Sequence, residues 1–225
     1  MFSSTPKAAP HACARFGQRL RVSNHPLVQH MLVRLRDQTT PPAEFRRMVR
    51  GITNLLAVEA TAHWPTEPTQ VTTPLAETIA QALVDQVAIV PILRAGLGMA
   101  DALLELLPDA QVWHVGLFRD EQTLQPTEYY NKLPRSLACR RVLVVDPMLA
   151  TGGSAVRTCR LLIERGVDPS AVQFLSLIAA PEGVERLLSE FSDLHLCIAA
   201  LDERINDVGF IVPGLGDAGD RQFHT

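Results

Sequence analysis

The chain of 225 residues has no CxxC pair, and its four cysteines, Cys13, Cys139, Cys159 and Cys197, lie far apart. Neither a zinc ribbon nor a disulfide framework is indicated, and reduced, buried thiols are the expectation. The seven histidines are equally scattered, which argues against a dedicated transition-metal site. No apolar run approaches the roughly 20 residues of a membrane-spanning helix. A formal charge of −3 gives no global electrostatic footprint for nucleic acid or an anionic membrane, so neither is expected as a partner. Two nucleotide signatures are also missing. No lysine stands beside Gly152 and Gly153, where a P-loop NTPase needs one, and no G-x-G-x-x-G opens a helix after a first strand. The first 36 residues lack Asp and Glu but carry Lys7, Arg15, Arg19, Arg21, Arg34 and Arg36. That is faintly like a transit peptide. A poorly ordered extension over residues 1–21, ahead of a single domain over 22–225, is the stronger reading, with a cytoplasmic location.

What is present is ordinary for a globular protein: 47% hydrophobic and 20% charged residues, in a chain long enough to bury a core. A helical pattern opens at His25 and Pro26 and runs to Leu35. A second, from Ala43 to about Ala62, is expected to bury Phe45, Met48, Val49, Ile52, Leu55, Leu56 and Val58. Ala62 to Thr73 reads as a connector, and Pro74 to Val84 leans to helix over strand. Val87 to Leu93 is a central strand, with a helix after it from about Met99 to Leu107. Val112 to Phe118 is the next strand, and 119–136 an exposed arm or β-hairpin. Strands at Val172–Ile178 and Leu194–Leu201 flank a helix at Pro181–Phe191. Alternation at this spacing predicts an α/β fold with a parallel sheet covered on both faces, and ligands beyond the C-terminal strand ends. Arg94 and Asp146 fall at two such ends. The tail, 209–221, is rich in glycine and reads as a shaped loop.

The chain is organised around Arg141 to Ser154. Val142 to Val145 form a short continuous apolar run, as in a strand buried on both faces. Asp146, Pro147, Met148, Leu149 and Ala150 then lead into Thr151-Gly152-Gly153-Ser154. From Ser154 the apolar positions recur at helical spacing until Gly166. A strand, a tight turn and a helix N-terminus in succession gather free N–H groups and the positive end of a helix dipole, which suits a phosphate. A carboxylate five residues before Thr151 can accept hydrogen bonds from a sugar on that phosphate. Together they suggest a ribose 5-phosphate.

The segment Val144 to Ser154 resembles the phosphoribosyl diphosphate motif of the type I phosphoribosyltransferases, in the single-acid form of the uracil phosphoribosyltransferase family. Three more segments resemble it: Pro91 to Gly98, Arg119 to Pro126, and Pro213 to Arg221. The resemblance implies a type I phosphoribosyltransferase fold with N-terminal helices and a protruding β-arm. It implies transfer of phosphoribosyl from phosphoribosyl diphosphate to uracil, giving UMP and pyrophosphate, with Mg²⁺. By resemblance, Arg94 and Arg119 hold the diphosphate and Asp146 the ribose hydroxyls, with Pro147, Met148 and Leu149 beside them. Ala150, Thr151, Gly152, Gly153 and Ser154 take the 5′-phosphate. Asp217 faces the diphosphate and its Mg²⁺ through water, with no direct protein ligand to the metal. Asp146, Arg94 and Asp217 are the catalytic candidates. Uracil falls to Ile211, Gly216, Asp217 and Ala218, mainly through main-chain atoms. A homodimer or larger assembly is implied, and GTP is a candidate effector, as in some relatives.

Two positions depart from the family pattern: Phe210 replaces a usual Tyr, and His224 a usual Gly. Two competing functions remain. A regulator of pyrimidine-operon RNA would need a basic face and a two-acid motif, and the chain has neither. A catalytically silent subunit sits poorly with intact Arg94, Asp146, Thr151 and Asp217.

Overall fold

The computed structural model describes residues 16–119, 126–134 and 139–225. Lys7, Cys13 and Arg15 lie outside the described residues, as do positions 120–125 and 135–136 of the expected arm. Strand β1 (Leu20–Val22) already belongs to the main sheet, and Phe16 and Leu20 lie in the core. The ordered fold therefore reaches back a little before Val22. Helix α1 (Pro26–Arg36) starts behind His25, whose ring Nδ1 accepts the Leu27 N–H. Helix α2 (Pro42–Thr61) starts on a proline, which lacks the N–H that a first turn cannot use. It buries Phe45, Val49, Ile52, Leu56, Ala57 and Ala60, but Val58 is 62% exposed. One residue past Ala57 is about 100° around the helix, so Val58 leaves the stripe it was expected to join.

The segment Pro74 to Val84 is not helical. Strands β2 (Thr66–Thr72) and β3 (Glu77–Leu83) form an antiparallel hairpin with Thr66 opposite Leu83 and Thr72 opposite Glu77. Leu75, Ile79 and Leu83 are spaced four apart, a spacing that shares a side in a helix and in a strand alike. All three are exposed here. The expected connector before it supplies β2.

Next come β4 (Val87–Leu93) and α3 (Leu97–Leu106). The single strand expected at Val112 to Phe118 is two, β5 (Gln111–Val112) and β6 (Val115–Arg119), parted at buried Trp113. β6 pairs antiparallel with β7 (Pro126–Asn131) to make the arm. Then follow β8 (Arg141–Val145), β9 (Met148–Leu149), α4 (Gly153–Ile163), β10 (Val172–Ala179), α5 (Pro181–Glu190) and β11 (His195–Leu201). The tail is more regular than a loop: β12 (Arg204–Ile205) pairs with β13 (Ile211–Val212), and α6 (Ala218–Phe223) closes the chain.

The main sheet runs β1-β11-β10-β8-β4-β6-β7, parallel except at the arm. Alternate residues of one strand serve opposite faces. Ala88, Val90, Val142 and Val144 pack with α4 and α5, whereas Val87, Ile89, Leu143 and Val145 pack with α1, α2 and α3. From β4 the chain steps to β6 on one side and returns to β8 on the other. That reversal opens a crevice beyond the ends of β4 and β8. Cys139, Cys159 and Cys197 are free and buried. No helix among the described residues is long and apolar enough to cross a membrane.

Candidate active site

Pro91 of β4 lies beside Val145 of β8, so the residues that follow each strand emerge together at the crevice. Arg94 follows β4 across a cis Leu93–Arg94 peptide, and Asp146 follows β8. The turn after Arg94 lies on the neighbouring strand. A Cβ at Gly96 would come within 2.6 Å of the Val145 carbonyl oxygen and 2.8 Å of the Ile92 nitrogen, so this position admits only glycine.

The Asp146 carboxyl is partly exposed by area, yet densely surrounded. Burial pushes its pKa up to about 7, against a weak hydrogen bond from the Met148 N–H at 3.4 Å and with some help from the charge of Asp217. That electrostatic contribution sets Asp217 near Asp146, although the two are 71 positions apart.

The cradle forms as its glycines suggest. Gly152 has φ +75° and is the residue before α4, and its carbonyl accepts the Val156 N–H at 2.9 Å. Thr151 and Ser154 are half-buried, and Gly153 opens the helix. N–H groups of a helix start gathered around a left-handed glycine can take an anion. Pro147, Met148 and Leu149 link Asp146 to this turn through β9, which pairs with β10.

The tail closes over the end of β4. Asp217 caps α6 by accepting the Asp220 N–H at 2.9 Å. Asp220 in turn pairs with Arg94 at 3.3 Å, both half-exposed. Between them sits Gly219, where a Cβ would lie 3.2 Å from Asp217 Oδ1 and 4.0 Å from Arg94 Nη2. Arg94, Asp146 and Asp217 thus converge. Of the uracil candidates, Ile211 and Ala218 are core residues, while Gly216 is exposed with φ +81°. Ile211 can offer a ligand only backbone, since its side chain packs inward. Arg119 ends β6 with its backbone opposite Pro126.

Sequence reasoning missed the residues that hold this assembly. Arg36 pairs with buried Asp202 through two bonds of 2.5 and 2.8 Å, and both grip Gly214, by its carbonyl and its N–H respectively. Arg221 donates to the carbonyls of Leu35, Asp37 and Leu215 and stacks 4.3 Å from the centre of the Phe45 ring. Gln222 donates to the Ala95 carbonyl next to Arg94. Asp220 and Arg221 lie inside the Pro213 to Arg221 segment, but nothing in that segment names their partners. A cavity of about 310 Å³ lies between α2 and α3, lined by Ala43, Arg46, Arg47, Arg50, Gly98 and Asp101.

A mostly parallel α/β sheet with arginine and aspartate at adjacent strand ends, beside a glycine cradle, is the architecture of the type I phosphoribosyltransferases. The comparisons narrow it further. Residues 22–225 match the family model described as uracil phosphoribosyltransferase. The uracil phosphoribosyltransferase of Roseiflexus sp. is 52% identical, covering 92% of this chain and 99% of the relative. That of Dictyoglomus thermophilum is 51% identical, covering 91% and 98%. The solved structure of the AQ2163 protein from Aquifex aeolicus superposes with a TM-score of 0.83 at 34% identity, covering 91% of this chain and 97% of that one. The chain belongs to the uracil phosphoribosyltransferase family.

Proposed function

We propose that this chain transfers the 5-phosphoribosyl group of phosphoribosyl diphosphate to uracil, releasing pyrophosphate and forming UMP in pyrimidine salvage. The observation that carries the reading is the convergence of Arg94, Asp146 and Asp217 at one crevice, next to the Gly152 turn. Breaking the bond between the anomeric carbon and the diphosphate leaves positive charge on the sugar and negative charge on the leaving group. Catalysis is then positioning plus electrostatics. Ionised Asp146 accepts from the ribose hydroxyls and stabilises the cationic sugar. Arg94 and Arg119 take the diphosphate with guanidinium forks. Residues 150–154 hold the 5′-phosphate through backbone N–H groups and the hydroxyls of Thr151 and Ser154. Main-chain atoms of Ile211, Gly216, Asp217 and Ala218 read uracil, because the amino group of cytosine would leave a buried polar group unpaired.

The residues suit a Mg²⁺ that arrives on the diphosphate. Exposed Asp217 lies close enough to Asp146 for its charge to raise the Asp146 pKa. One carboxylate, substrate oxygens and water make a donor set that Mg²⁺ takes. Asp217 would hold the ion through water, and the ion would supply charge neutralisation for the leaving pyrophosphate.

A homodimer or larger assembly, a cytoplasmic location and GTP regulation belong to the same reading. The arm from Arg119 to Lys132 is the candidate for crossing between subunits. The arginine-lined cavity between α2 and α3 offers the cationic wall that a triphosphate needs. The deciding experiment incubates purified protein with uracil, phosphoribosyl diphosphate and Mg²⁺. UMP and pyrophosphate should form in equal amounts, and no turnover with any pyrimidine base would overturn the assignment.

A further inference from the structure

Helix α5 packs against the back of the Gly152 turn. A Cβ at Gly183 would fall on the Ala150 carbonyl oxygen and within 2.7 Å of that of Leu149. Ala180 donates its N–H to the Leu149 carbonyl at 2.9 Å. One turn further on, Arg186 has its Cβ 3.3 Å from where a Cβ on Gly152 would sit, and its Nη1 donates to the Thr151 carbonyl at 3.3 Å. Three successive carbonyls, of Leu149, Ala150 and Thr151, therefore turn toward α5. In a trans peptide the C=O and the next N–H point in opposite directions. The N–H groups of Ala150, Thr151 and Gly152 consequently turn away from α5, into the cradle.

Gly152 is the weak point of this arrangement. A glycine at φ +75° readily accepts rotation of the peptide before it, which would aim the Thr151 carbonyl at the bound anion. A cation holding that carbonyl opposes the rotation and polarises the same peptide. We infer that Arg186 is a positioning residue of the 5′-phosphate cradle, fixing the Thr151 carbonyl so that the Gly152 N–H faces the phosphate and placing a positive charge behind a turn that has no lysine. The inference rests on the cradle assignment proposed above.

Only ligands with a 5′-phosphate should feel Arg186, which separates its role from general support of the fold. In Arg186→Ala, the KM for phosphoribosyl diphosphate and the inhibition constant of UMP should rise together, about five- to tenfold. Inhibition by pyrophosphate and the KM for uracil should stay unchanged. Arg186→Lys should recover most of the loss, and thermal melting confirms that each variant is folded. Gly152→Val serves as the reference for the cradle itself. If Gly152→Val weakens both phosphate ligands and Arg186→Ala weakens neither, the role of Arg186 is refuted and the cradle stands. If neither variant moves them, the cradle assignment fails and the inference with it. A parallel loss of affinity for pyrophosphate in Arg186→Ala would also refute it, since the effect would not be specific to the 5′-phosphate.

Discussion

Burial makes the Asp146 carboxyl harder to ionise than an ordinary aspartate, pushing its pKa up to about 7. Asp146 binds its proton more tightly in the folded chain than in the unfolded one, where the usual value is 3.8. Its contribution to stability is therefore complete below pH about 4 and is lost as pH rises to about 7. Asp146→Asn should be more stable than the parent at pH 8 by about 1–3 kcal/mol, with the gap closing in acid, as measured by denaturant midpoints. On the proposed reading, the same group acts on activity in the opposite sense. The kcat/KM for phosphoribosyl diphosphate should climb as Asp146 ionises and level off above pH about 7. In Asp146→Asn that limb should vanish and kcat fall roughly 10²-fold. His224 is a second residue with a measurable cost. It ends α6 at φ +60°, the left-handed conformation that its expected departure from glycine makes awkward. His224→Gly should stabilise the protein by about 0.5–1 kcal/mol in chemical denaturation.

At the scale of the element, the strand, turn and helix from Arg141 to Ile163 were legible because the signals are contiguous: branched apolar residues, an acid, two glycines, then a helical stripe. Gly152→Val should raise the KM for phosphoribosyl diphosphate at least tenfold. A valine there adopts a positive φ poorly, and its Cβ would meet the Gly183 oxygen at 3.0 Å. Steady-state kinetics checks this. The hairpin of β2 and β3 was not legible, because Leu75, Ile79 and Leu83 satisfy both periods and their exposure is not written in the sequence. Nor were the partners of Arg94, Gly214 and Thr151. Asp220, Asp202 and Arg186 are 126, 12 and 35 positions away from them, and a charged residue does not announce which distant group it will meet.

For the molecule as a whole, the tail is tied to the N-terminal helices rather than to the sheet alone. Arg36 of α1 and Asp202 after β11 form a largely buried pair that grips Gly214. Removing one partner leaves the other charge buried, so Arg36→Met should cost about 3 kcal/mol in denaturant unfolding. Since Gly214 adjoins the uracil candidates, the KM for uracil should rise as well. One candidate contact for the proposed oligomer is the β2–β3 hairpin, where Leu75 at the turn is 97% and Ile79 on β3 72% exposed. Ile79→Glu should lower the mass found by sedimentation. An unchanged mass would move the contact to the arm from Arg119 to Lys132.

The pair between Arg94 and Asp220 bears on turnover. The guanidinium proposed to take the diphosphate has a carboxylate partner in the same chain. Two half-exposed groups at 3.3 Å gain little from each other, about 0–1 kcal/mol, so an incoming diphosphate can displace Asp220 easily. On release, Asp220 returns and no bare cation is left behind. On the proposed reading, the internal carboxylate competes with any diphosphate that reaches Arg94, on the substrate as on the product.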